Sequence, residues 1–540
     1  MNHFVMGNCN TKRKFLMICA IARSSIIAVI CLFAIAACSS EIDTPVSEEE
    51  SVRSYLYITL VMPQMTRATD KDTEPGLDVE NQISNLTVFF FNDATQGVSG
   101  EAKTEFFKKV YVDRGFKRTN NGVEVEVPLS DYTPVNSDKL LGSRIAVVAN
   151  MGDLCSLSTR GELQQYIPEK TWQEGDTPSS PSGCSKFTMA SAKNDDGFIT
   201  KAPEAEQPKN GDVYYKASVT VERTAARIDL CYNPLQEHAP SQEDEEGYIE
   251  YTSGDNGYVR LYGLSPINAM QQPSYALKRI SEGLSENYTC FDTYHYTGDL
   301  PEAGTPSRPT AYVIEPHTAG KTADATPPAD WYGSTSATIL SKSQWENGKN
   351  LAALLGDKDI KLELDNGQRR SLIVTYTNEN TQHYTQHSEK WLTGLQLRAV
   401  FVPTTVYTDG NATTKKEDYK PGETFWCCRY KEHNANELYF ANREAAEAYL
   451  KAHPATSAKI LEFPSGRCFY HTWIRHTVEE RDPAIIFPME YGIVRNHIYR
   501  VSFTFHRAGN PTPDIENPQN VEAVIYVRPW HVFKHEQIIL

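Results

Sequence analysis

The 540 residues carry a formal net charge of −16, with 53 lysines and arginines against 69 aspartates and glutamates. That balance, with no basic stripe to offset it, excludes nucleic acid as a partner, because phosphates would repel such a surface. The length exceeds what one core holds and fits two to four domains at roughly one per 150 residues, and the 11% aromatic content, rich in tyrosine, suits a β-rich globular protein.

The chain opens with Lys12, Arg13, Lys14 and Arg23 ahead of an uncharged run from Ser24 to Ala37. This is a basic region followed by an apolar one of signal-peptide length, and it is short of the about 20 apolar residues that a membrane-spanning helix needs. Ile35-Ala36-Ala37-Cys38 resembles a bacterial lipobox, in which an aliphatic residue and two small ones precede the cysteine that receives the lipid. The alternative is a plain secretory leader cleaved nearby, with Cys38 incidental. Each acyl methylene that enters the membrane contributes about 0.8 kcal/mol, so several chains anchor stably. Ser39 to Ser51, with Glu48, Glu49 and Glu50, reads as a solvated tether.

Beyond Cys38 stand Cys155, Cys184, Cys231, Cys290, Cys427, Cys428 and Cys468, an odd number without repeated spacing. They do not form a disulfide framework, although one or two bridges stay open to an exported protein. Cys427 and Cys428 are adjacent and on a strand would point to opposite faces.

The stretch Ser54 to Asp70 is the first with a face to bury. Leu56, Ile58, Leu60 and Met62 fall on one side of a period-two strand, and Tyr55, Tyr57, Thr59 and Val61 on the other. Pro63 cannot donate a ladder hydrogen bond, so pairing should fail there, and Gln64 to Gly76 reads as an exposed polar connection. Arg67 sits near its start. A protease can cut such a loop without disturbing a packed core, and a cut there would leave the strand held only by its neighbours; an arginine in a polar loop is also ordinary.

Strands follow in Ile83 to Asp93, Glu105 to Asp113, Gly122 to Ser130 and Arg144 to Asn150, the third alternating Val123, Val125 and Val127 against Glu124 and Glu126. A short helix is expected around Gly161 to Tyr166. Val213 to Tyr232 reads as one long strand with a bend at Glu222-Arg223. Asn233 to Gly254, opening on Asn-Pro and carrying an acidic run, interrupts the pattern and is the expected domain boundary. A second set of strands runs through Tyr258 to Pro266, Arg369 to Thr377 and Leu392 to Pro403, while Gly304 to Asn350 is mostly loop in composition. Arg443 to Ala452 is a helix capped by Asn442 and stopped at His453-Pro454. Asn496 to Ala508 is a strong strand. Val521, Ala523, Ile525 and Val527 then alternate against Glu522, Val524, Tyr526 and Arg528, and such a terminal strand either tucks into its own sheet or is offered to a neighbour. Many short strands with few helices predict an all-β sandwich protein.

No phosphate loop, nucleophile elbow or zinc-helix motif is present, and no catalytic residue, cofactor or metal is expected. His471 and His476 fall five apart on a strand-like segment, which puts them on opposite faces, with His433 and His497 elsewhere. Abundant carboxylates select no acid–base pair. The tyrosines and tryptophans could stack on glycans but more commonly fill sheet faces.

Taken together, the lipobox, Thr66-Arg67-Ala68, the block Val219 to Asp229 (VTVERTAARID), and the terminal blocks Val494 to Phe505 and Val521 to Val532 resemble a fimbrillin of Bacteroidales type V pili, most closely the minor, Mfa-type, shaft fimbrillin. Gly394 to Pro403 and Arg467 to His476 carry the likeness through the second half. The acidic loop near Asp244 and Gly304 to Asn350 have no counterpart in it. The resemblance implies two transthyretin-like Greek-key β-sandwich domains, here residues 68–232 and 233–540, after a signal peptide at 1–37 and a propeptide at 38–67. It implies lipidation at Cys38, export to the outer membrane, and cleavage by an arginine-specific protease between Arg67 and Ala68. Loss of the strand bearing Leu56, Ile58, Leu60 and Met62 would open a groove. A neighbour's residues 521–540, led by Val521, Ala523, Ile525, Val527, Trp530 and Val532, would fill it, and the mature protein would stand in extracellular fimbriae. Implied partners are other copies of itself, accessory fimbrial subunits, the protease, and host or bacterial surface receptors.

A groove with unpaired main-chain groups is an aggregation-prone edge that strand addition satisfies. Donor and groove are different surfaces, so the contact grows an open filament. Different readings are a non-polymerising tip or anchor adhesin, or a surface glycan-binding lipoprotein; a hydrolase would need a catalytic constellation that the sequence does not display.

Overall fold

The computed structural model describes residues 53–61, 74–92, 103–119, 122–129, 140–174, 184–192, 197–239, 247–281, 288–290, 313–318, 325–326, 328, 331, 361–364, 367–381, 388–430, 437–454, 458–476, 490–513 and 521–531. Alternating and β-branched segments dominate these residues, and they fold as the all-β protein that the sequence predicts. Two α-helices are described. The first, α1 (Arg160–Gln165), is capped by the Thr159 hydroxyl. The second, α2 (Arg443–Ala452), is capped by Asn442, whose side chain accepts from the Ala445 N–H at 2.8 Å, at the residues expected.

The first sandwich is one continuous path of strands. Its spatial order is β4 (Lys108–Val112), β3 (Leu86–Phe91), β7 (Arg144–Ala149), β8 (Met189–Ser191), β10 (Val213–Arg223), β1 (Ser54–Val61), β6 (Gly122–Pro128) and β5 (Lys117–Thr119), with β9 (Thr200–Lys201) beside β10. Strand β10 belongs to both layers: its first residues pair with β1, and Val221 to Arg223 pair with β8. The layers enclose one core, in which Leu56, Ile58 and Leu60 meet Leu86, Val88, Phe90, Val125, Ile145 and Val147. Alternate residues of β3 and β7, Phe89, Phe91, Ala146 and Val148, face a second cluster with Leu154 and Leu163, so that layer is buried on both sides.

The second sandwich has one sheet ordered β18 (Lys361–Leu364), β19 (Arg369–Asn378), β11 (Ala225–Tyr232), β25 (His497–Phe505), β26 (Val521–His531) and β2 (Glu74–Pro75). Its other sheet is ordered β12 (Glu237–His238), β13 (Tyr248–Ser253), β14 (Gly257–Ile267), β20 (Gly394–Pro403) and β24 (Arg467–Trp473). Between them pack Ile228, Leu230, Val259, Leu261, Leu397, Phe401 and Val501. A small sheet of β22 (Leu438–Phe440), β21 (Phe425–Arg429) and β23 (Lys459–Phe463) adds Phe425, Tyr439 and Phe463 to this core and carries α2 on its other face. A further three-stranded sheet is ordered β16 (Tyr288–Cys290), β15 (Arg279–Ser281) and β17 (Val313–Ile314).

The long strand expected over Val213 to Tyr232 is two strands. Thr224 separates β10, which stays in the first sandwich, from β11, which pairs with β19 and β25 in the second. The chain thus crosses between cores at Thr224, one strand ahead of the Asn233 boundary. Cys427 faces the large core and Cys428 the core under α2, on opposite faces as adjacent strand residues must be. Cys155, Cys184, Cys231, Cys427, Cys428 and Cys468 are all free thiols.

Candidate functional site

Strand β1 lies in the interior of its sheet. It runs parallel to β10, with Ser54 opposite Val213 and Val61 opposite Thr220, and antiparallel to β6, with Tyr55 opposite Pro128 and Leu60 opposite Val123. Inward and outward side chains alternate as the sequence predicts, and Leu56, Ile58 and Leu60 are at most 2% exposed. At about 1.5–3 kcal/mol for each fully buried aliphatic side chain, these three contribute about 5–9 kcal/mol before ordering entropy is subtracted.

The start of β1 is fastened to both of its neighbours. The Leu129 N–H donates to the Ser54 carbonyl at 2.9 Å, and the Val213 N–H to the Arg53 carbonyl at 3.0 Å. Gly122, at φ +150°, lies so close to β1 that a Cβ there would stand 2.1 Å from the Leu60 carbonyl oxygen. Only glycine allows that approach. On the outer face the Tyr57 hydroxyl donates to Glu126, and Tyr55 and Tyr57 set their rings edge-on to Tyr214 at 5.6 and 4.9 Å. Desolvation, followed by the Glu126 hydrogen bond, raises the Tyr57 pKa, so the phenol keeps its proton. Without β1, both β6 and β10 would present a row of unpaired amides and carbonyls beside an apolar trough.

The C-terminal strand occupies a different sheet. Antiparallel pairing joins β26 to β25 from Val521 opposite Phe505 to Pro529 opposite His497, and β2 lies along its other side. Ile525 is buried and Ala523 packs against the second core, on the face expected of them. Val521, Val527 and Trp530 are placed by their backbone in the same strand. The structure therefore does not bring β1 and β26 together: each completes a separate sheet of its own chain. Cys38, Met62, Arg67, Ala68 and Val532 lie outside the described residues, as does His433.

His471 and His476 do not share a site. His471 is buried in β24, 6.0 Å from the Trp473 ring, whereas His476 lies beyond that strand with its ring 5.0 Å from His497 and its Nδ1 2.7 Å from the Tyr499 hydroxyl. Burial pulls His471 and His497 down to about 4 and His476 well below its usual value, so all three are neutral at pH 7.

Sequence reasoning missed a buried charged cluster at the Thr224 crossing. Arg227 donates through Nε and Nη2 to the two Asp229 oxygens, each at 2.9 Å, and through Nη1 to Glu80. Tyr376 donates to Glu80, and Ser371 to Asp229 at 3.0 Å. Arg223 reaches back to the Glu80 carbonyl at 3.1 Å and to the Asn81 side chain. On the opposite side of β10, Lys278 donates to Glu222 at 3.0 Å. The available signal was two charges, Arg227 and Asp229, inside an otherwise apolar strand, because charged residues are almost never fully buried unless paired.

These features define an all-β protein of two sandwich cores, one with an N-terminal strand in mid-sheet and the other closed by its C-terminal strand. Residues 462–536 match the family described as major fimbrial subunit protein type IV, fimbrillin, C-terminal. No helix among the described residues is long and apolar enough to cross a membrane. Among curated proteins no sequence matches. Solved structures similar to the chain include a fimbrilin (fimA) of Porphyromonas gingivalis, at 12% identity and TM-score 0.36, covering 89% of this chain and 99% of that one. The tip fimbrial protein Mfa3 of Porphyromonas gingivalis, at 11% identity and TM-score 0.32, covers 88% and 100%. The fimbrial anchor protein Mfa2 of the same organism, at 8% identity and TM-score 0.23, covers 89% and 100%.

Proposed function

We propose that this chain is a shaft subunit that polymerises by donor-strand exchange and supports adhesion and biofilm formation. The carrying observation is that β1, the first described strand, with Arg67 beyond it in the sequence, is an interior strand between β6 and β10. The precursor fills its own groove and stays monomeric, tethered to the outer membrane by lipid on Cys38. A cut between Arg67 and Ala68 removes the covalent hold on β1, and the emptied groove accepts residues 521–540 of the next copy. Alternate apolar residues of that segment, Val521, Ala523, Ile525 and Val527, replace Leu56, Ile58 and Leu60, and main-chain bonds replace those of β1. Donor and acceptor lie on different sheets, so the contact is heterologous and propagates. No step needs a catalytic group of this chain, and its partners are its own copies, accessory subunits and the protease.

N-terminal sequencing and intact mass of protein sheared from cells, beside an Arg67→Ala form, test the proposal. A terminus at Ala68 in high-molecular-weight material, with the variant held as a lipidated monomer, is the expected result. A lipidated Cys38 terminus in both samples, without a ladder, would replace it with an anchor or a monomeric surface-binding lipoprotein.

A further inference from the structure

Strand β26 has one full neighbour and one very short one. Strand β25 pairs with it as far as Pro529, and Pro529 has no N–H to give to the ladder. Beyond that point its described partner is β2, whose Glu74 and Pro75 stand parallel to Trp530 and His531. The end of β26 would therefore fray first where β2 covers it.

In sequence β2 falls between β1 and β3, both strands of the first sandwich. It heads an arm that leaves that sandwich, lies on the second and returns. A two-residue strand does not hold by itself, and the residues behind it supply the grip. Leu77 packs on the second core, and the Asn81 side chain donates to the Gly76 carbonyl at 3.2 Å. Glu80, fully buried, is bonded to Arg227 of β11 and to Tyr376 of β19.

We infer that the arm Glu74–Asn81 is a retaining clip for the C-terminal strand: the Glu80 anchor fixes it to β11 and β19, and β2 pins the last residues of β26 in their sheet. The inference rests on reading β26 as the strand given to a neighbour and adds the point at which its release is controlled. With Pro75 lacking an amide, β2 offers few bonds, which suits a clip that must open.

Hydrogen exchange followed by mass spectrometry on the uncut, full-chain monomer tests the clip. Glu74→Pro removes the amide next to the one that Pro75 already lacks, and Leu77→Ser loosens the arm from behind. In either variant, peptides covering 526–531 should exchange roughly ten-fold faster while β11 peptides keep their wild-type rates. Wild-type exchange across 526–531 in both variants overturns the clip. Because the monomer is read, this outcome is separate from polymerisation: a missing ladder with faster exchange in the variants removes the shaft reading and leaves the clip, whereas a normal ladder with unchanged exchange removes the clip alone.

Discussion

The Glu80 carboxylate accepts from Arg227 Nη1 at 3.1 and 3.2 Å, and neither side chain has any exposed surface. Glu80 follows β2 in the N-terminal arm, and Arg227 is the third residue of β11, so one buried ion pair joins the arm to the second sandwich. Replacing Glu80 with alanine leaves the guanidinium with Asp229 but strips it of one of its two carboxylate partners. Breaking a buried pair from one side is destabilising by about 3–5 kcal/mol. Urea unfolding of Glu80→Ala should show a lower midpoint at unchanged slope, and a midpoint equal to wild type would mean that the arm is not fastened there.

Gly122 gives a sharper probe of β1. At φ +150°, with the Leu60 carbonyl 2.1 Å from where a Cβ would sit, Gly122→Ala must push the end of β1 away from β6. A loss of about 1–3 kcal/mol is expected in the uncut chain, from strain and weakened ladder bonds. The same substitution should have less effect once β1 has been removed, because its clash partner is gone. Equal losses with and without β1 would show that the substitution acts elsewhere in β6.

Much of this arrangement was legible in the chain. The alternation of Leu56, Ile58 and Leu60 against Tyr55, Tyr57 and Thr59 fixes which face of β1 is buried, because period two leaves no freedom once one face is apolar. Asn442 and His453-Pro454 bound α2 by local capping chemistry alone. The crossing at Thr224 was legible only as a bend at Glu222-Arg223, because the change of sheet between β10 and β11 is set by their distant partners. The Glu80 anchor was hidden for a related reason: a carboxylate in a short polar turn looks solvated until Arg227, far along the chain, is brought to it.

Truncating β1 in its middle separates its share of stability from its role as a plug. Ile58 is fully buried between Val125 of β6 and Ala217 of β10 in the register. Ile58→Ala should lower the stability of the uncut monomer by about 2–5 kcal/mol, the transfer and cavity terms together. On the strand-exchange proposal it should also speed assembly after cleavage, since a weaker plug leaves faster while the groove it vacates is unchanged. Densitometry of the ladder over time, started by protease, reads this; slower assembly than wild type would mean that β1 is not what must leave.

Acid should weaken the second sandwich through its buried histidines. His497 donates its Nδ1 proton to the Arg495 carbonyl at 2.7 Å, packs against the His476 ring, and has Lys278 and Glu379 as charged neighbours. Burial is the largest influence on it and lowers its pKa to about 4, against about 6.5 in an unfolded chain. Between those values the unfolded state binds a proton that the folded state refuses, so stability rises with pH there and is lost as pH falls. The full effect, reached near pH 4, is about 3 kcal/mol from His497 alone. His476, lowered by burial and then by His497 and Lys278, acts in the same direction. Urea midpoints measured at pH 7, 6 and 5 should therefore decline, and His497→Gln should flatten the decline. A midpoint independent of pH across that range would show that these imidazoles are not held neutral in the folded protein.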